Sequence, residues 1–368
     1  MLYSRQGRYS EAEPLYQQAL QMRKKLLGDE HPLVVFSLNN LALLYSRQGR
    51  YSEAEPLYQQ ALQMRKKLLG DEHPDVATSL NNLAFLYESQ ERYSEAEPLY
   101  QQALQMKKKL LGDEHPDVAT SLNNLAILYW TQNNTTDALN WLEEGLQVEE
   151  TGLESNLIAG SDQDKQKYIA TISKTTDWAI SLHLNELPKN QQAAHLALTT
   201  ILRRKGRILD FFANNQQLLR QNLYSESQTL LSELSTTRSQ LANLIYHQPP
   251  NLSAQDYRNQ LSRLSDKANN LEDRLYRRSQ PFRQATQPTT IEAIQKLIPD
   301  NAALVELVQY KAYNPQSEDS WGKPRYAAYI LPAQGDIQAV DLGEVEQIES
   351  TLYVFRPGKE SMDYVGRL

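Results

Sequence analysis

Three histidines, His31, His73 and His115, stand 42 residues apart, and each is followed by a proline. Imidazoles at a fixed spacing raise the question of a metal ladder, but a metal site needs three or four converging ligands. Each histidine sits in its own loop, so a turn or helix-cap role is expected, with no metal and no other cofactor. Other catalytic chemistries are thinly supplied. There is no cysteine, which excludes disulfides, thiolate metal sites and a cysteine nucleophile within this sequence. HExxH, a GxxxxGK phosphate loop and GxGxxG are absent. No two carboxylates stand out as an acid–base couple. No catalytic residue is assigned, and the chain is expected not to be an enzyme. What does recur is a carboxamide pair: Asn39-Asn40, Asn81-Asn82 and Asn123-Asn124, beside Leu43, Phe85 and Ile127. A carboxamide both donates and accepts hydrogen bonds, which suits the backbone of an extended peptide. The alternative role for the same asparagines is to bond neighbouring helices to each other.

A repeat positions these residues. Leu2–Pro32 and Leu44–Pro74 are identical, and Leu86–Pro116 is a slightly edited third copy. A period in the range of about 20–50 residues denotes a stacked architecture. The identity extends to solvent-facing positions, which points to recent duplication. In the unit Pro74–Leu111, Val76, Leu80, Leu83, Ala84 and Tyr87 recur at helical spacing along one apolar face. Pro74 suits a first helical turn, and Glu91-Arg92 makes a short turn. Ser94-Glu95-Ala96-Glu97 reads as a capping box. The second helix then buries Ala96, Leu99, Tyr100, Ala103 and Leu104 and ends at Gly112. Each unit is thus an antiparallel helix pair that must stack on its neighbours to bury its apolar face.

Leu80, Leu83-Ala84, Tyr87, Ala96, Tyr100 and Ala103 match the tetratricopeptide pattern in order. LNNLA at Leu38–Ala42, Leu80–Ala84 and Leu122–Ala126, with GDEHP between units, resembles the 42-residue repeats of kinesin light chains and their bacterial relatives. The resemblance covers residues 1–150. It implies a right-handed superhelix with Ala42, Ala84 and Ala126 buried. It also implies that the first helix of each pair lines a concave groove, making Asn39, Asn40, Asn81, Asn82, Phe85, Asn123 and Asn124 the candidate peptide-binding residues. Met1 aligns with Leu43 and Phe85, so the sequence is expected to begin within a repeat.

A net charge of −7 gives no reason to expect a nucleic-acid partner. No apolar run approaches the roughly 18 residues that would span a bilayer. A soluble, cytoplasmic protein with a protein or peptide partner is expected. After the repeats, residues 151–280 read as a helical spacer. In it Asn215–His247 and Leu252–Arg278 form a hairpin, the second helix with a heptad seam of Tyr257, Leu261, Leu264, Ala268, Leu271 and Leu275. Arg203–Arg207 reads as a solvated helix face rather than a nucleic-acid patch. Beyond Pro281–Pro288 the pattern changes. Thr290 caps a short helix, then Ala303–Tyr310, Arg325–Leu331 and Ile337–Leu342 read as strands, and Glu344–Phe355 as a helix. Residues 289–356 resemble the N-terminal portion of the CHAT domain, a caspase-like module found after tetratricopeptide arrays. The fold expected is therefore mostly α: a solenoid over 1–150, a spacer, and an incomplete α/β segment over 289–368. That segment is expected to leave a sheet edge exposed, and proteases are expected to cut near Gln280–Gln287. Two functions follow from the resemblances: an interaction scaffold, or the substrate-recruiting arm of a caspase-like peptidase. The CHAT family's catalytic Cys and His have no match here.

Overall fold

The computed structural model describes residues 7–159, 162–212, 225–246, 252–278, 290–317 and 320–354. The chain opens with helices α1 (Tyr9–Leu27), α2 (Pro32–Arg47), α3 (Tyr51–Leu69), α4 (Pro74–Ser89), α5 (Tyr93–Leu111), α6 (Pro116–Thr131) and α7 (Thr135–Ala159). Next come α8 (Asp162–Ser181), a π-helical turn (Leu182–Glu186), α9 (Gln191–Phe212), α10 (Ser225–Tyr246), α11 (Ala254–Arg278) and α12 (Ile291–Gln295). Strands β1 (Ala303–Tyr313), β2 (Trp321–Pro332) and β3 (Gln338–Glu344) precede α13 (Val345–Val354). No described helix is long and apolar enough to cross a membrane.

The chain folds as two units, Met1–Lys165 with Ser225–Arg278, and Gln166–Tyr224 with Ser279–Leu368. The first is the stack of helix pairs. Each even-numbered helix from α2 to α6 starts in the same way. His31, His73 or His115 takes the N-cap position, and its Nδ1 accepts the backbone N–H two residues on, at 3.1 Å in all three. The prolines that follow occupy the first helical position, where no N–H is needed. The histidines are caps. Gly28, Gly70 and Gly112 end the odd helices at φ 86°, 83° and 92°, a region open to glycine without strain, and donate to the Lys24, Lys66 and Lys108 carbonyls.

The expected capping box does not form. The odd helices begin at the tyrosine before the serine, so Ser94 lies inside the helix and no side chain caps Arg92. The glutamate of the box serves an arginine instead. Arg92 donates to both Glu95 oxygens at 2.7 Å and to Glu55 of the preceding repeat at 2.8 Å. Its guanidinium also lies over the Tyr87 ring, 4.0 Å from the centroid. Arg50 repeats this clasp with Glu53, Glu13 and Tyr45. Their carboxylates hold both guanidinium pKa values above the ordinary arginine range.

Ala42, Ala84 and Ala126 are buried at 0%, 0% and 2% exposure, which lets adjacent helices approach closely. Within the same unit α10 and α11 pack together. Leu244 and Tyr257 bury against Leu110 and Leu111 of α5, with Leu261 and Leu264 of the expected seam around them. Leu275, the last seam residue, lies outside the residues whose side chains are described, as do Gln280–Gln287 and the start of the hairpin before Ser225.

The second unit holds a three-stranded antiparallel sheet in the order β1-β2-β3, with bulges at Lys311/Tyr313 and Tyr326/Ala327. The strands lie where alternation places them, and the Thr290 hydroxyl caps α12 by accepting from Ala293 N at 3.1 Å. Although the sequence divides into consecutive segments, the sheet is backed by residues more than a hundred positions earlier. Gln191 bonds both the N–H and the carbonyl of Ile337. Ser181 accepts from Tyr313 N, and Trp178, Tyr313 and Trp321 cluster with ring centroids 4.7–6.4 Å apart. Arg204 corrects the expectation of a solvated basic face. It is buried, and it donates to Thr175 and Thr176 hydroxyls and to the Ile172 carbonyl of α8. Lys205 pairs with the buried Glu306 of β1.

Candidate peptide-binding face

The first helices of the complete pairs, α2, α4 and α6, present a stripe at positions spaced four, three and four apart, which share one helix face. In α2 it is Phe36, Asn40, Leu43 and Arg47; in α4, Thr78, Asn82, Phe85 and Ser89; in α6, Thr120, Asn124, Ile127 and Thr131. Every one of these side chains is at least partly exposed, with Phe36 at 44% and Phe85 at 49%. The hydroxyls of the stripe bond back to carbonyls four residues earlier in their own helices. The carboxamides of Asn40, Asn82 and Asn124 stand one turn before the apolar Leu43, Phe85 and Ile127 and are half-exposed. Asn82 Nδ2 donates at 3.4 Å to Oδ1 of Asn39, the neighbour of the stripe residue Asn40 in the preceding repeat.

The other members of the asparagine pairs are placed differently. Asn81 and Asn123 are buried at 8% and 6% exposure, so neither presents its carboxamide to solvent. Asn81 Nδ2 donates to Ser121 Oγ of the next repeat at 3.2 Å, and Asn123 Nδ2 to Glu149 at 2.8 Å. Both Oδ1 atoms are buried without a hydrogen-bond partner among the described residues. Asn39 is half-buried and donates to the Val35 carbonyl of its own helix. A single edit accounts for the difference between Asn39 and Asn81. Arg23 and Arg65 each reach a backbone carbonyl and a serine hydroxyl, Ser37 and Ser79 respectively. In the third copy Lys107 stands in their place and donates to the Asp117 carbonyl, while Ser121 accepts from Asn81. An ammonium lacks the arginine fork that serves two acceptors in fixed geometry. Gly145 also gains a reason, since a Cβ there would lie 2.3 Å from Asn123 Oδ1.

Phe36 and Leu33, at 44% and 45% exposure, are face residues that the motif reading misses. A signal for them is present in the repeats. Between Pro32–Arg50 and Pro74–Arg92 the copies differ at positions 33, 35, 36, 43, 46, 47 and 49, whereas Tyr9–Pro32 and Tyr51–Pro74 are identical. Divergence is concentrated in the first helices and their turns, the odd helices α1, α3 and α5 differing only by Lys107 in place of Arg23 and Arg65, and much of it falls on the exposed face.

Among the titratable groups that burial displaces are Glu88, Asp177 and His183. Glu88 is pushed up to about 7, although the Tyr100 hydroxyl at 2.7 Å favours its charged form. Asp177 is likewise pushed up to about 7, with Lys311 and Arg204 acting against burial. Burial pushes His183 down to about 4, and its Nδ1 lies 3.0 Å from the Tyr329 hydroxyl. None lies on the stripe. Among the described residues no three His, Asp or Glu side chains are grouped to hold a metal ion.

The stacked pairs and their exposed first-helix stripe define an α-helical repeat of the solenoid class. The tetratricopeptide repeat model matches residues 1–67, 52–109 and 75–150, so this part of the chain consists of tetratricopeptide repeats. Among solved structures the chain is similar to BtubC (BKLC) from P. vanneervenii, at 25% identity and TM-score 0.41, covering 56% of this chain and 77% of that one. It is also similar to a putative kinesin light chain with nearly identical TPR-like repeats from Podosopora anserina. There the identity is 25% and the TM-score 0.43, over 56% of this chain and 91% of that one. No curated protein matches the chain.

Proposed function

We propose that the tetratricopeptide stack is a non-catalytic interaction scaffold, and that the stripe of α2, α4 and α6 holds an extended partner peptide. Tetratricopeptide repeats are protein-binding modules, and the observation that carries the reading here is the divergence between copies. Among the positions at which the duplicated helices and their turns differ, Phe36/Thr78, Leu43/Phe85 and Arg47/Ser89 all lie on the exposed stripe, beside the buried Val35/Ala77 and the turn pair Gly49/Glu91. Side chains that only face water have no common reason to change along one line, whereas contacts to a ligand supply one. Asn40, Asn82 and Asn124 then bond the peptide backbone, and Phe36, Phe85 and Ile127 receive its apolar side chains. The partner is a protein segment rather than nucleic acid or membrane. Selection of random peptides displayed on phage against the purified chain tests this. Selected peptides should bind the parent and lose at least tenfold in affinity for an Asn82→Ala/Phe85→Ala/Asn124→Ala variant of unchanged melting temperature. Equal binding to that folded variant would refute it.

A second reading makes the stack the recruiting arm of a caspase-like peptidase. The strands of the sheet fall within the segment that resembles the CHAT domain, which favours it. The sheet itself carries neither cysteine nor histidine.

A further inference from the structure

We infer that the surface at Leu68-Leu69, where α3 ends, docks an amphipathic helix of a partner protein that carries an aromatic residue, an arginine beside it, and leucines four and seven positions on. The inference compares one sequence in two surroundings, both inside the stack. Met64–Ala84 and Met106–Ala126 differ only at Arg65 and Lys107. In the second of these segments Leu110 and Leu111 are at 4% and 3% exposure, packed with Leu244 of α10 and with Tyr257, Leu261 and Leu264 of α11. Arg258, next to Tyr257, donates to the Lys109 carbonyl at 3.3 Å. In the first segment Leu68 and Leu69 are at 38% and 40% exposure, with no counterpart of α11 over them among the described residues. Helix α3 is an inner member of the stack, with α1 and α2 before it and α4 to α7 after it.

Because the two segments share their sequence, the helix seated on one shows what fits the other. Tyr257, Leu261 and Leu264 follow the i, i+4, i+7 spacing with which an amphipathic helix anchors itself on an apolar face. Arg258 adds a polar anchor. The last four carbonyls of a helix lack an intrahelical partner, and the Lys67 carbonyl holds the same place in α3 as the Lys109 carbonyl in α5. Around the two leucines stand Lys66, Lys67, Asp71 and Glu72, all exposed or half-exposed, a charged rim of the kind that surrounds an apolar contact. The chain's own α11 is already seated on α5, so the occupant is a different polypeptide rather than a second copy. Leu68 and Leu69 belong to none of the stripe helices α2, α4 and α6, so the inference does not depend on the peptide proposal.

The probe is a fluorescently labelled synthetic peptide of the sequence Leu252–Leu271, titrated with the full chain and followed by anisotropy. The expected result is saturable binding, weakened at least tenfold by Leu68→Lys/Leu69→Lys in the chain and by Tyr257→Ser/Leu261→Ser in the peptide. Asn82→Ala in the chain should leave it unchanged. Lysine near a helix C-terminus suits the helix dipole, so circular dichroism melts of the lysine variant should match the parent. If that variant fails to fold, Leu68→Ser/Leu69→Ser carries the test. No binding at peptide concentrations up to about 1 mM, the weak end of measurable association, would overturn the proposal. Equal binding to the folded variant would show that the peptide only trades places with α11 on Leu110-Leu111, and would overturn it too. So would sedimentation velocity showing a dimer of the parent that is lost in the lysine variant, since it would assign the surface to a second copy.

Discussion

Adjacent asparagines on α4 should respond oppositely to the same substitution. Asn81→Ala removes a buried donor that reaches Ser121 Oγ in the next repeat at 3.2 Å. Ser121 is at 0% exposure, so its hydroxyl cannot turn to water. A buried polar group left without its partner costs about 1–3 kcal/mol. Part of that is offset, because the substitution also removes Asn81 Oδ1, which is buried without a partner among the described residues. The net expectation is a loss of about 1–2 kcal/mol, or a few degrees in melting temperature at about 2–4 °C per kcal/mol for units of this size. Asn82 is half-exposed and makes one long bond of 3.4 Å, so Asn82→Ala should change stability by less than about 0.5 kcal/mol. Urea unfolding of both variants, followed by circular dichroism with the slope checked for constancy, reads the difference. A neutral Asn81→Ala, or an Asn82→Ala that costs as much, would refute the division into stack-bonding and face-forming asparagines.

Other expectations follow from single positions. Glu91 holds φ +59° where the first two copies place Gly7 and Gly49; Glu91→Gly should raise stability by about 1 kcal/mol, read by thermal melting. Gly145→Ala should gain about 1 kcal/mol of helix propensity but lose more by displacing Asn123, so the sign of its effect should reverse in an Asn123→Ala background. Glu88 has its folded pKa raised to about 7 from 4.5. Its contribution is therefore complete below about pH 4.5 and lost as pH rises through 7, on the order of 2 kcal/mol after allowance for partial exposure. Glu88→Gln should flatten stability across that window. His183 runs the other way, its folded pKa lowered to about 4 from 6.5. Stability of the second unit is present above about pH 6.5 and lost as pH falls toward 4, by about 3 kcal/mol, and His183→Gln should reduce that loss.

The helices, their order and the buried alanines were legible because a verbatim repeat states its period outright, and because His-Pro and Gly-Asp-Glu mark where each helix starts and stops. The strands were legible from their Val, Ile and Tyr alternation. Side-chain assignments that depend on one residue of register were not. Ser94 looks like a cap only if the helix starts after it, and Asn81 looks like Asn82 until the helix has a facing neighbour. Arg204 reads as solvated because its partners, Ile172, Thr175 and Thr176, lie about 30 residues away on a helix whose rotation the sequence does not specify. The backing of the sheet by Ser181 and Gln191 depends on hydrogen bonds across 132 and 146 residues, and local periodicity carries no trace of those.

Hydrogen–deuterium exchange of the chain with and without a phage-selected peptide addresses the proposed peptide-binding face most directly. Protection should appear in α2, α4 and α6, at segments carrying Asn40, Asn82 and Asn124, while α1, α3 and α5 stay unchanged. Protection confined to the odd helices, or absent from α4 with the peptide saturating, would contradict it.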